Sequence, residues 1–348
     1  MSQSSRRPPS RRPPSRRPTA RVVTPPPEKP KLSRRRTAII WSVVVAVVLG
    51  LAIGIGYYVI YALPLQQTII KVNSAEITAD YFIRRMLQSG GAEDIFTMMQ
   101  TITNEELIRQ GAPRAPYGIR VTDEEVTSAL KEAARGENET ISEPEFRAWY
   151  RNEVNESGLS DREYRDLTRT YLMAQLLGQY LGARVSSVAE QVHLQYMVFE
   201  SYEDAVEAAG RLEEGADFAE LAREVSIDTV SAEEGGDLGW WPEDALGIQS
   251  GTALLSPPSL LFGFGAGEVS QPALLDQDTM VYAIFKVVER AAAMEMEEDV
   301  LNLVKQRQME KWLDTEMRTQ TITFHGRNNG FDSETHAWIT WQLSRRQK

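Results

Sequence analysis

The sequence predicts an α+β protein with three parts. These are a single N-terminal transmembrane helix, a mainly helical region, and a small α+β domain on a central antiparallel sheet with helices. Three observations carry this: a long uncharged apolar run, a series of capped amphipathic helices, and a later order of strand, helices, glycine-rich turn and strand.

Charge is divided unevenly along the 348 residues. Residues 1–36 hold twelve Lys or Arg against one acid, Glu28, a net +11; the whole chain is −11, so the remainder carries −22. A cationic tail on an anionic body suggests two compartments, and the acidic body argues against nucleic acid as a partner. With no cysteine, disulfides, thiolate metal sites, a cysteine nucleophile and a thioether lipid anchor are excluded. Three histidines, His193, His325 and His336, leave little room for a metal cluster, so no metal or cofactor is expected.

Residues 5–19 repeat SRRPP, SRRPP, SRRPT. Proline at this density removes backbone donors, so 1–36 reads as an extended, disordered tail. It can fix topology and attract anionic lipid headgroups, at about 1 kcal/mol per basic residue near the surface. A docking site for a proline-recognising domain, or a serine switch, is the sharper alternative.

Residues 37–62, TAIIWSVVVAVVLGLAIGIGYYVIYA, contain no charge. As a helix this run spans about 39 Å, enough to cross a bilayer with tilt. Trp41 and the trio Tyr57, Tyr58 and Tyr61 lie near its two ends as interfacial aromatics do, and Arg34–Arg36 abut its start. Positive-inside bias therefore places the tail in the cytoplasm and the rest beyond the cell membrane, the chain passing once through the bilayer. The run is too long for an ordinary signal peptide and lacks the polar face of a core helix.

Residues 66–186 begin with a β-branched run, Thr68, Ile69, Ile70 and Val72, which turns at Asn73-Ser74; Thr78 then caps a helix. Thr122/Glu125, Ser142/Glu145 and Ser160/Glu163 each fit a capping box. After Ser160, Tyr164, Leu167, Tyr171, Ala174 and Leu177 recur at helical spacing and predict one apolar stripe. Phe146, Trp149 and Tyr150 read as core rather than as contacts for another chain. The segments IIKVNSAEIT, NEELIRQGAPRAPYGIRVTDEEV and GLSDREYRDLTRTYLMAQLL resemble the N-terminal chaperone region of SurA/PrsA-type foldases.

In residues 190–290, EQVHLQYMVF alternates as a strand, EDAVEAAGRLEEGADFAELAREVS reads as helix-turn-helix, and MVYAIFKVVER closes the region as a strand. GADFAELAREVSID, SAEEGGDLGWW and GEVSQP, in this order and spacing, resemble a parvulin-type (PpiC, rotamase) prolyl isomerase domain. Together with the anchor, the resemblance is to PrsA/SurA/PpiD-like foldases. It implies an extracytoplasmic foldase or chaperone that binds unfolded or extended exported polypeptides without a cofactor. An active prolyl isomerase and a scaffold subunit of a membrane complex are the alternatives.

Parvulins twist an Xaa-Pro amide whose barrier is roughly 18–20 kcal/mol, using an apolar slot and polar groups around it. The resemblance places Tyr196 and Ala283 at the two family histidine positions and Asp228 at the acidic or thiol position. His193, three residues before Tyr196, points to the other strand face. Leu238, Trp240, Pro257 and Phe262 would line the proline slot. With both histidines replaced, weak activity or none is expected.

Residues 291–318 predict a charged helix which, by the same resemblance, packs back on the chaperone region. Residues 319–348 receive no assignment.

Overall fold

A computed structural model of the chain describes residues 34–90, 94–246, 258–276, 280–326 and 330–346. Most of the basic tail, for which headgroup binding is expected, and Pro257 lie outside these residues. The chain divides into two compact units, 1–62 and 63–348.

The first unit contains helix α1, Arg34–Tyr57, followed by a wider π turn, Tyr58–Ala62. A 3-10 turn, Leu63–Gln66, opens the second unit. The apolar helical stretch Trp41–Gln66 includes 18 consecutive residues of mean hydropathy 2.6 and is long and apolar enough to cross a membrane. Its end lies four residues beyond the predicted one, because LPLQ continues the helical path without a charge.

The second unit opens with a hairpin, β1 (Thr68–Val72) and β2 (Ala75–Thr78). Asn73 takes a left-handed φ of 56°, which a short polar side chain tolerates at such a turn. Thr78 Oγ1 then accepts the Tyr81 N–H and caps α2 (Ala79–Gln88). Three more helices follow α3 (Ile95–Gly111): α4 (Asp123–Arg135), α5 (Glu143–Ser157) and α6 (Asp161–Gly182). All three predicted capping boxes are formed reciprocally, each satisfying two otherwise orphaned backbone donors.

Phe146 is buried between Trp149 and Tyr150, with ring centroids 6.4 and 5.9 Å away, so this trio is core. The predicted stripe on α6 is corrected. Tyr171 is 62% exposed, and the buried residues are Thr170, Met173, Leu177 and Gly182. Helix α6 packs against two clusters at once, with Met173 and Leu177 in one and Tyr164 and Leu172 in the other. A single helical stripe therefore misplaces the contact.

The other half of this unit is an antiparallel sheet of order β4-β3-β6-β5, made from Val188–Phe199 (β3), Asp237–Pro242 (β4), Ala273–Asp276 (β5) and Val281–Glu295 (β6). Between β3 and β4 run α7 (Tyr202–Glu213), α8 (Phe218–Val225) and the short α9 (Thr229–Glu233); α10 (Pro258–Gly263) precedes β5. One sheet face, with Met197, Phe199 and Ile284, is covered by Ala205, Ala208, Phe218 and Leu221 of α7 and α8. The opposite face carries Val192, Leu194, Ala283, Phe285 and Val287.

Strand β6 pairs with β3 as far as Val188↔Glu295, so the expected helix begins later, as α11 (Glu298–Thr319). This helix serves both halves. Val300 and Val304 join the cluster on the sheet, while Trp312 packs with Ile108, Met173 and Leu177 of the helical half. A Cβ on Gly111 would lie 2.5 Å from the Trp312 ring, so α3 and α11 meet where a side chain is missing.

The unassigned C-terminal residues are structural. Strand β7 (Ile322–Phe324) pairs with β1, and α12 (Ser333–Arg346) puts Ile339 into the core of Ile70, Phe82 and Ile83. His325 extends this pairing through its backbone N–H to the Ile69 carbonyl, and His336 stacks on Phe96 with centroids 6.1 Å apart.

Candidate functional site

Tyr196 lies in β3 directly opposite Phe285 of β6, and their rings stack with centroids 6.0 Å apart at 22°. Its phenol donates to Asp228 Oδ2. Asp228 is the N-cap of α9: its Oδ1 accepts the Val230 N–H at 3.2 Å, and its Oδ2 also accepts Ser231 Oγ at 2.9 Å. Capping and contact with Tyr196 are therefore served by one carboxylate.

The double glycine sets this geometry. The Tyr196 N–H donates to the Gly236 carbonyl at 2.8 Å, and a Cβ on Gly236 would fall 2.3 Å from the Tyr196 carbonyl oxygen. Gly235 and Gly236 have φ of 74° and 77°, a region open to glycine and costly for other residues. The turn into β4 can thus press against β3 at the site residue itself.

Burial, and then the Asp228 hydrogen bond, push the Tyr196 phenol up to about 12, so it remains a donor at neutral pH. Burial alone would raise Asp228. The hydrogen bonds from Tyr196, Ser231 and the backbone outweigh it and hold the carboxyl below its ordinary range. The pair is therefore a neutral phenol donating to a carboxylate.

Ala283 pairs with Val198 two ladder positions on, on the same sheet face, and is fully buried in the same apolar cluster as Tyr196. It presents only a methyl group to that cluster. Leu238 and Phe262 pack against this cluster as well. Arg290 lies 5.8 Å from the Phe262 ring and donates to the Phe262 carbonyl at 2.6 Å.

Trp240 does not join them. It is registered opposite His193 and stacks on that ring at 5.2 Å, on the reverse side of the sheet. The period of two in a strand allows one member of the Trp240-Trp241 pair per face, and Val192↔Trp241 assigns the slot side to Trp241. Trp241 is buried there and donates its indole N–H to the Leu238 carbonyl at 2.6 Å. His193 faces away from Tyr196 as expected, with Nε2 2.7 Å from Asp237 Oδ1.

Three site residues escaped the sequence reading: Ser231, Phe285 and Trp241. Ser231 lies three residues beyond the cap Asp228, and Phe285 two beyond Ala283 on the same strand face, so spacing could have found both.

Residues 199–289 match the rotamase family, the PPIC-type PPIase domain; Tyr196 lies three residues ahead of the match. Foldase protein PrsA of Oceanobacillus iheyensis is 34% identical over 110 residues, 32% of this chain and 34% of that protein. Periplasmic chaperone PpiD of Haemophilus influenzae is 36% identical over 102 residues, 29% of this chain and 14% of the relative. This chain thus spans about a third or less of the length of these relatives. A longer, weaker likeness, 22% over 250 residues, joins 70% of the chain to 79% of PrsA from Geobacillus kaustophilus. Among solved structures, PrsA from Bacillus anthracis is 20% identical, covers 64% of this chain and 96% of its own, and has a TM-score of 0.38. Residues 199–289 are a PPIC-type parvulin domain, carried by a chain similar to the foldases named PrsA and PpiD.

Proposed function

We propose that this protein is a membrane-anchored, extracytoplasmic foldase that binds unfolded exported polypeptides, and that its isomerase site is degenerate. The observation that carries the reading is the site itself. A phenol–carboxylate pair, Tyr196–Asp228, remains beside a buried methyl, Ala283, where the second family histidine is expected. Stabilising a twisted amide requires polar groups aimed at the charge that develops on it, and a methyl supplies none.

The apolar span Trp41–Gln66 and the arginines before it support a single crossing with the body outside. The polypeptide partner is inferred from the relatives named foldase and periplasmic chaperone.

The test uses the full chain in a bilayer. It should suppress aggregation of an unfolded client, with little acceleration of Xaa-Pro isomerisation in a peptide. Failure to delay aggregation or bind extended peptides would overturn the chaperone reading.

The Tyr196–Asp228 pair favours one alternative, a residual isomerase, since partial catalysis can outlive loss of one member of a set. Acceleration abolished by Tyr196→Phe and by Asp228→Asn would establish it.

A further inference from the structure

Tyr196, Asp228, Ser231 and Gly236 close a ring of hydrogen bonds. The Tyr196 phenol donates to Asp228 Oδ2, and Ser231 Oγ donates to the same oxygen at 2.9 Å. The Ser231 carbonyl accepts the Gly236 N–H at 2.7 Å, and the Gly236 carbonyl accepts the Tyr196 N–H at 2.8 Å. Strand β3, the capped start of α9 and the double-glycine turn are thus tied at one point. Ser231 is buried, so water competes little for its hydroxyl.

The ring fixes where the protons are. A phenol has one proton to give and lone pairs to accept with, and so has a serine hydroxyl. Both protons here are spent on the Asp228 carboxylate, whose charge makes it the stronger acceptor. Turning the phenol proton towards a neutral amide oxygen would exchange a charge-assisted bond for a weaker one. The Tyr196 side chain therefore has nothing left to donate, while its oxygen can still accept. Tyr196 is only partly buried, and so are Leu238 and Phe262 on the same apolar cluster, so this face is not closed off from solvent.

We propose that the Tyr196 oxygen accepts a backbone N–H of an extended client, so that the site selects a residue other than proline at that point. Proline has no N–H, and bound there it would cover the oxygen without giving it a donor. This rests on the foldase reading above and names the peptide class that the altered site takes. The client is read through an ordinary amide in place of a proline ring.

The probe is a fluorescein-labelled peptide, KALFAIVAK, which has no repeat along which it could slip register. Its residues are N-methylated one at a time, which removes a single N–H and keeps the side chain. Binding to the full chain in nanodiscs is read by fluorescence polarisation. At one position, methylation or replacement by proline should weaken binding about five-fold, the equivalent of one neutral hydrogen bond. Tyr196→Phe keeps the ring against Phe285 and removes the oxygen. That variant should bind the methylated and unmethylated peptides alike at that position, whereas a steric penalty would persist. A penalty that persists in Tyr196→Phe, or none at any position, overturns the acceptor role and leaves the foldase reading standing. A chain that does not bind the unmethylated peptide overturns both.

Discussion

The two faces of the β3–β6 ribbon differ in what occupies them. On one, Met197, Phe199 and Ile284 meet α7 and α8 in a closed apolar layer with no site residue. On the other, a buried cluster of similar composition also holds a phenol, its carboxylate partner and an alanine at the expected catalytic position. The contrast separates what a family domain needs to fold from what it needs for chemistry. The motif that shapes the turn, Gly235-Gly236, is formed at positive φ, and the function proposed above reads Tyr196 and Ala283 as standing where the family has its histidines.

The strongest break of this comparison is Gly236→Ala. The added Cβ meets a β3 carbonyl and the backbone is held at positive φ, so a loss of about 4 kcal/mol or failure to fold is expected. Denaturant unfolding of the variant measures it, and a near-neutral result would remove the double glycine from the account.

The adjacent tryptophans sharpen the contrast. Trp241→Ala should cost about 3–4 kcal/mol and Trp240→Ala about 1 kcal/mol, since only Trp241 is enclosed. Equal losses in paired melting curves would refute the assignment of faces.

A third prediction concerns the helical half. Arg84 grips Glu163 through both carboxylate oxygens at 2.7 Å and so ties α2 to the first turn of α6. This bond holds Glu163 at about 2, against an ordinary 4.5. A depressed folded value means that the contribution is complete above about 4.5 and is lost as pH falls towards 2. Glu163→Gln should cost about 2 kcal/mol after solvent screening and flatten the fall in stability between those pH values. Unfolding titrations at several pH values test both.

The smallest effect belongs to the site. Tyr196→Phe keeps the ring against Phe285 and removes one donor, at about 1 kcal/mol. Asp228 should then titrate upward, having lost one of the bonds that hold it low. An unchanged carboxyl titration by NMR would show that the phenol is not its partner in solution.

Much of this was legible in the chain because it is written locally. A cap needs a hydroxyl and a glutamate three residues apart, and a strand face follows from counting by two; Thr78, the three capping boxes and the opposed sides of His193 and Tyr196 followed from that. The errors arose where two partners share one element. Tyr171 fits a helical stripe, but α6 is held from two directions, and Trp240 and Trp241 are told apart only by the register of β4 on β3.

The sequence by itself determined the apolar span, the charge division, the helix ends and the order of motifs, because each depends on residues near one another in the chain. Tertiary structure alone decided that Asp228 receives the Tyr196 phenol, that α11 joins both halves, and that the C-terminal residues complete the first core. Those contacts link positions 32 to more than 200 residues apart, and no local pattern encodes which distant surface a side chain will meet.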